Sequence, residues 1–273
     1  MKLTYLGTAA AEGFPGLFCA CDTCREATRR GSKDLRTRSQ AIVDDVLLID
    51  LPPDTYLHML RNKINLPDIE YLLITHTHSD HFQPGELYYR RPGFCDTRSL
   101  MTVYGNDELK RRMDEMVEET QTTYEKSKMV CVELMEFVPQ DIAGYTVVPL
   151  LARHARNEKC FIYLIGKNDK WLLYGNDTGI FPEATWQYIR GKKLDLVSLD
   201  CTCGQMGEGT NHMGVPDLIK MRQLLADAGC LHAGTQLIAN HFSHNGGLLH
   251  EGLEQQLQPH GYQVSYDGMT VTV

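Results

Sequence analysis

No apolar run in these 273 residues approaches the roughly 18 that a membrane-spanning helix needs. Residues 1–16, MKLTYLGTAAAEGFPG, hold one Lys and no long apolar stretch, so they do not read as a secretory signal. A cytoplasmic location is the expectation. Basic residues are in deficit, 27 Lys and Arg against 35 Asp and Glu, for a net charge of −8. That balance disfavours a fold-wide nucleic-acid surface. There is no internal repeat, no low-complexity tract and no shift in composition that would mark a domain boundary. A single domain over 1–273 is expected. With 42% hydrophobic residues and a mean hydropathy of −0.30, wholesale disorder is excluded. A chain of this length buries roughly three quarters of its unfolded surface and needs no disulfides to fold.

What the chain does have is nine Cys and eleven His. An odd number of Cys leaves one thiol outside any closed disulfide framework, and clustered Cys in a reducing compartment points to metal. Strand-like segments recur from end to end: Lys2–Leu6, a hairpin of Ala41–Val43 and Val46–Leu51, Ile69–Ile74, Thr102–Tyr104, Tyr145–Leu151, Phe161–Ile165, Trp171–Tyr174, Leu196–Leu199, Leu237–Asn240 and Met269–Val273. Helical spacing relates Leu57, Leu60 and Ile64, and also Leu218, Met221, Leu224 and Leu225; Leu249–Leu257 and the charged Asp107–Lys128 are further helices. The last reads as an amphipathic helix covering a site or a dimer face. Clustered strands with helices between them predict an α+β sandwich of two mixed sheets with helices outside.

Ile69–Ile74 runs into Thr75-His76-Thr77-His78-Ser79-Asp80-His81, four metal-ligating side chains within six positions. The strand fixes the backbone. The loop after it lets His76 and His78 face one point while Asp80 and His81 face another. Imidazole and carboxylate are the donors that Zn, Fe and Mn accept. This H-x-H-x-D-H pattern after a buried strand resembles the metallo-β-lactamase superfamily. The remaining pattern follows in order: His154 after Val147–Arg153, Asp177 after Trp171–Tyr174, and His241 after Leu237–Asn240. The resemblance implies a four-layer αβ/βα sandwich with two divalent metals, Mn, Zn or Fe. One is held by His76, His78 and His154, the other by Asp80, His81 and His241, with Asp177 bridging. It also implies a bridging hydroxide as nucleophile, and a supporting role for Asp50 behind a ligand.

Cys19-Ala20-Cys21-Asp22-Thr23-Cys24 puts three thiols in six residues. Cys21 and Cys24 have the spacing at which a tight turn aims two sulfurs at one cation, and a redox-active pair is the alternative. A tetrahedral zinc site needs a fourth ligand from elsewhere. Together with Gly7–Pro15 this motif resembles the PhnP-like phosphodiesterases, with PqqB-like proteins as near neighbours. The resemblance implies that Cys19, Cys21, Cys24 and His244 hold one structural zinc, with His241-Phe242-Ser243-His244 serving both metal centres. It implies Asp80 and His212 as the catalytic pair, His212 protonating the leaving group, with His232 as fallback. Arg90, Arg91, Arg153 and Arg156 are candidates to meet substrate phosphate. One departure is Asp50-Leu51-Pro52-Pro53-Asp54, where relatives often carry Asp-x-Gly-Pro-Asp.

The expected activity is metal-dependent hydrolysis of a small phosphodiester, cyclic ones included, by a homodimer. Rival readings are a lactone, thioester or RNA-end hydrolase on the same fold, and a PqqB-like non-catalytic carrier. A di-iron redox protein is disfavoured because that branch has Glu where this chain has His78.

Overall fold

A computed structural model describes residues 1–207 and 209–273. The first half comprises β1 (Lys2–Gly7), α1 (Asp22–Arg30), β2 (Gln40–Val43), β3 (Leu47–Ile49), α2 (Thr55–Asn62), β4 (Tyr71–Leu73), β5 (Met101–Gly105), α3 (Asp107–Glu119) and β6 (Met129–Glu133). The second comprises β7 (Gln140–Ile142), β8 (Tyr145–Leu151), β9 (Phe161–Lys167), β10 (Lys170–Gly175), α4 (Glu183–Ile189), β11 (Leu196–Asp200), α5 (Val215–Asp227), β12 (Gln236–Asn240), α6 (His250–Leu257), β13 (Tyr262–Val264) and β14 (Thr270–Thr272).

The strands form two seven-stranded sheets, in the orders β14-β1-β2-β3-β4-β5-β6 and β13-β12-β11-β10-β9-β8-β7. Between them lies an apolar layer that includes Tyr5, Val43, Ile49 and Leu73 from one sheet and Val147, Tyr163, Ile165 and Ile238 from the other. The outer face of the first sheet packs on α3 through Leu109, Met113 and Met116. The outer face of the second packs on α4, α5 and α6 through Ile189, Leu218, Met221, Leu225, Leu253 and Leu257. This is the expected four-layer α+β sandwich.

Parallel pairing runs through β3-β4-β5-β6 in one sheet and β10-β11-β12-β13 in the other. Parallel strands end along one edge, where loops can converge on a common point. Their buried runs, such as Leu196–Asp200 and Leu237–Asn240, are nearly continuous in apolar residues because both faces are covered. At that edge the sheets are tied together: Phe161 N–H donates to Thr75 O (2.8 Å) and Tyr163 Oη to Ile74 O (2.6 Å).

Several sequence expectations are corrected. The Asp107–Lys128 helix stops at Glu119, where Thr120 Oγ1 donates back to Met116 O and Gln121 turns left-handed (φ 51°). Its start is as expected for a capped helix, with the Asn106 side chain accepting from Leu109 N–H. Its apolar face meets the first sheet and the charged face is left to solvent. In α2 the apolar spacing marks the wrong face. Leu60 is exposed, and the buried residues are Thr55 and His58, the latter held by Gln40 Oε1 (2.6 Å) and Thr37 Oγ1 (2.7 Å). The edge strands β6 and β7 are absent from the sequence reading; β6 is half exposed and β7 spans three residues, so neither carries a strong pattern.

Candidate metal centre

Six strand ends meet at the edge of the sandwich. Asp50 follows β3, the His76–His81 loop follows β4, His154 follows β8, Asp177 follows β10, Asp200 ends β11 and His241 follows β12. Asp50, Asp177 and His241 all have left-handed backbone, with φ of 67°, 47° and 61°. A non-Gly residue costs about 1–3 kcal/mol in such a conformation, and the surrounding structure must impose it. In each case the turn swings a side chain back over the strand ends.

The donors form two groups. The ligand atoms of His76, His78 and His154 all lie within 4.8 Å of one another, as do those of Asp80, His81, Asp177 and His241. Asp177 borders both, since its Oδ2 is 3.9 Å from His76 Nε2 and 3.2 Å from His241 Nε2 and also meets His81 Nε2. Except for partly exposed His78 and His154, these side chains are buried.

The ring nitrogens show what the centre is built for. His81 Nδ1–H donates to Asp50 Oδ2 (2.7 Å), and Thr75 donates to the same carboxylate through N–H (2.8 Å) and Oγ1 (2.9 Å to Oδ1). His76 Nδ1 faces Thr75 Oγ1 (3.1 Å), His154 Nδ1 faces Asn211 O (3.3 Å) and His241 Nδ1–H donates to Thr202 Oγ1 (2.7 Å). With the proton on Nδ1, each Nε2 keeps a lone pair directed inward. His81 Nε2, His241 Nε2 and Asp177 Oδ2 are buried facing one another and Asp80, with no hydrogen bond satisfying them. Buried polar atoms are seldom left so. Imidazole lone pairs and carboxylates converging on one point are the donor set of a divalent cation, so these residues fit a metal pair.

The thiol cluster also fits. Cys19 Sγ and Cys21 Sγ each lie 3.6 Å from His244 Nδ1, and all four ligand atoms, Cys24 Sγ included, fall within 4.8 Å of one another. Zinc bonds of ordinary length at a tetrahedral angle separate S and N by about 3.6 Å. The Cys24 N–H donates to Cys21 Sγ and, as the main cause, lowers that thiol to about 6; burial pushes Cys24 up to about 12. Gly16 allows the loop to pass close by, since a Cβ there would stand 2.8 Å from His244 Nε2. All nine cysteines are free thiols.

His212 stands at the mouth, stacked on His241 with centroids 6.0 Å apart and edge-on to His154. Its Nδ1–H donates to Asp200 Oδ2 (3.0 Å). Burial disfavours its charged form, but the hydrogen bond and charge of Asp200, with Asp177 and Asp80, outweigh burial and lift it to about 9. Asp200 is the residue that the sequence reading misses. It is fully buried and also accepts from Met213 N–H (2.9 Å) and Thr202 N–H (3.0 Å), so it orients His212 and the Thr202 support of His241 together. The cap of α5 is Gly214, its N–H donating to Asp217 Oδ2.

A cavity of about 290 Å³ opens over this centre, lined by Ala10, Ala11, Glu12, His78, Asp80, His154, Asp177, Thr202, Asn211, His212 and His241. A larger groove of about 750 Å³ holds His232, but it lies at the opposite end of β12, which removes His232 as a fallback acid. Arg90 is spent on Ser99 O (2.9 Å) and neighbouring carbonyls, and Arg91 lies over the Tyr88 and Phe94 rings; neither lines the cavity. Despite Pro52-Pro53, Leu51 N–H still donates to His81 O (2.7 Å), so that turn remains docked on the ligand loop.

The family model described as beta-lactamase superfamily domain matches residues 46–242, from β3 to the residue after His241. The chain belongs to the beta-lactamase superfamily. Among solved structures of that fold, it is similar to a diphosphatase from the PhnP family, with 23% identity and a TM-score of 0.76 over 100% of this chain and 97% of that one. It is also similar to Zn²⁺-bound PqqB from Methylobacterium extorquens, with 18% identity and a TM-score of 0.78 over the whole of both chains. A third is the short form of human tRNase Z, with 17% identity and a TM-score of 0.67 over 100% of this chain and 99% of that one. No curated protein sequence matches the chain. Its fold is that of the superfamily, and its His and Asp groups could hold divalent metal ions. Among the described residues no helix is long and apolar enough to cross a membrane.

Proposed function

We propose that this superfamily member is a dinuclear metal-dependent phosphodiesterase. The observation that carries this reading is the pairing of seven inward-facing His and Asp donors with a separate, Asp-held imidazole, His212, on the same cavity wall. His76, His78 and His154 would hold one cation, Asp80, His81 and His241 the other, with Asp177 between them. When bound, such a pair supplies an activated water near neutral pH and positive charge for the oxygens of a phosphoryl group.

The chain's own residues supply the rest. Asp50, Thr75 and Thr202 fix the ring orientation of their histidines, so the donors need not reorganise during reaction. His212 carries a proton on Nε2 while Asp200 occupies Nδ1. It can therefore give that proton to the leaving oxygen as the P–O bond breaks. Glu12, which also lines the cavity, accepts from Ser243 Oγ and so keeps the 241–244 segment against it. The similar solved chain described as a PhnP-family diphosphatase supports a phosphoryl group as the reacting centre. Cys19, Cys21, Cys24 and His244 would hold a structural zinc.

The test is hydrolysis of bis(p-nitrophenyl) phosphate by protein loaded separately with Mn²⁺ and Zn²⁺, with Asp80→Ala as control. Metal-dependent turnover that vanishes in the variant is expected. No turnover from protein shown to hold both ions would overturn the reading and favour a carrier.

A further inference from the structure

We infer that Glu158 is the positioning residue for the three-histidine half of the centre. Its carboxylate locks the loop of His76 and His78 to the loop of His154, and without it the cation held by these rings is bound less tightly while the other ions keep their grip. The inference rests on the two-metal reading of the site and deepens it by giving each half its own support.

The two halves are held differently. Among the donors Asp80, His81, Asp177 and His241, the imidazoles are braced from behind by Asp50 and Thr202. In the other half His76 is braced by Thr75 and His154 by Asn211 O. His78 is the exception. It turns Nδ1 inward, 3.1 Å from both His76 Nε2 and His154 Nε2, and its Nε2 makes no hydrogen bond with any described residue. Its place therefore depends on the backbone that carries it. On the C-terminal side, His81 N–H and Phe82 N–H both donate to His78 O (2.9 and 2.8 Å). On the N-terminal side the hold is at Thr77, and its partner there is Glu158.

Thr77 N–H lies 3.2 and 3.1 Å from the two Glu158 carboxylate oxygens, and Thr77 Oγ1 lies 3.3 and 3.2 Å from the same pair. Hydrogen bonds to an ionised acceptor are the strong ones. The carboxylate is itself fixed by the buried Asn106, whose Nδ2 donates to Glu158 Oε2 (3.0 Å) and to Lys159 O (2.6 Å) while its Oδ1 caps α3. No Lys or Arg pairs with Glu158 among the described residues; its neighbour Lys159 pairs with Glu136 instead.

The main chain makes the first tie between these segments, Phe161 N–H to Thr75 O (2.8 Å), and the Glu158 side chain extends it to Thr77. His76 is thus gripped on both sides. His154 stands four residues before the same carboxylate, in a loop closed by Ala152 N–H to Cys160 O (2.9 Å). One acid therefore sets the spacing of all three rings.

Cadmium-113 NMR of the cadmium-saturated protein reads each ion separately, because thiolate, imidazole and carboxylate donors shift its resonance differently. The three-histidine resonance is the one missing in His78→Ala. EDTA is then added stepwise. In Glu158→Ala the three-histidine ion is expected to bind about 10- to 100-fold more weakly, with the other two unchanged. Glu158→Gln keeps an acceptor for Thr77 but turns an amide towards Asn106 Nδ2, and should lose less. Thr77→Val should also lose less, and should add nothing to Glu158→Ala in the double variant. The thermal midpoint of the metal-free protein should stay within a few degrees. An unchanged three-histidine ion in Glu158→Ala, or all ions loosened together with a lowered midpoint, would overturn the positioning role alone. Wild-type protein that takes up no ion on these histidines would overturn the two-metal reading, and this role with it.

Discussion

The His–Asp centre and the thiol cluster lie three residues apart on one segment, through His241 and His244, yet they are made in opposite ways. The first is assembled from six strand ends in two sheets. Its donors are mostly buried, and nearly every ring is held from behind by a carboxylate, hydroxyl or carbonyl. The second is one short loop closed by one distant histidine, with Cys21 exposed and the thiols leaning chiefly on backbone N–H groups. A centre supported by the sandwich keeps its shape through the fold. A loop cluster keeps its shape through its ion, because little else orders it. Shape without metal is therefore expected of the first and not of the second.

Asp177→Ala should sharpen this contrast most. It removes the one carboxylate that borders both donor groups, so turnover should fall about a thousandfold or more. Metal analysis should then show fewer active-site ions but zinc retained on the thiols, near one per chain against about three in the wild type.

Asp200→Asn should lower kcat about 10- to 100-fold while metal content is kept. The pH profile carries the sign. His212 is held near 9, so its acid form persists through neutrality and is lost as pH rises towards 9. Without the Asp200 charge its pKa falls, and the alkaline limb of activity should move to lower pH. An unmoved limb would remove His212 as the proton donor.

Cys21→Ser reads the coupling between the two regions. It should release the structural zinc and lower the thermal midpoint. It should also cut turnover about tenfold, because His244 loses its anchor three residues from His241. Unchanged activity in protein that has demonstrably lost this zinc would show the regions to be independent. Gly16→Ala should be mildest. The new methyl presses on His244 and Cys19, and zinc should exchange a few-fold faster with little change in kcat.

The legible part of this centre in the sequence was the part with local spacing. His76, His78, Asp80 and His81 come from one loop, and the thiols from another, so their patterns survive without the fold. His154, Asp177 and His241 were recognisable through their order after strands. Asp200 had no such signal, since a single Asp at the end of a strand is ordinary turn chemistry until Met213, Thr202 and His212 are folded onto it. The four-layer fold was legible because its central strands are long apolar runs. Those runs were absent from β6 and β7, and α2 misled because His58, a polar residue, occupies the buried face.

The leading strand of the chain borders the trailing one. β1 pairs with β14 as well as β2, and residues 272 positions apart exchange hydrogen bonds, Met1 N with Val273 O (2.6 Å) and Val273 N with Met1 O (2.9 Å). During synthesis β1 must therefore wait with one edge open until β14 has been made, and late closure of so distant a pair makes for slow folding. The same adjacency gives the engineer a seam. Residues 1 and 273 could be bridged by a short linker and the chain reopened at the exposed Asn168–Asp169 turn between β9 and β10, placing the new break on a face remote from the metal loops.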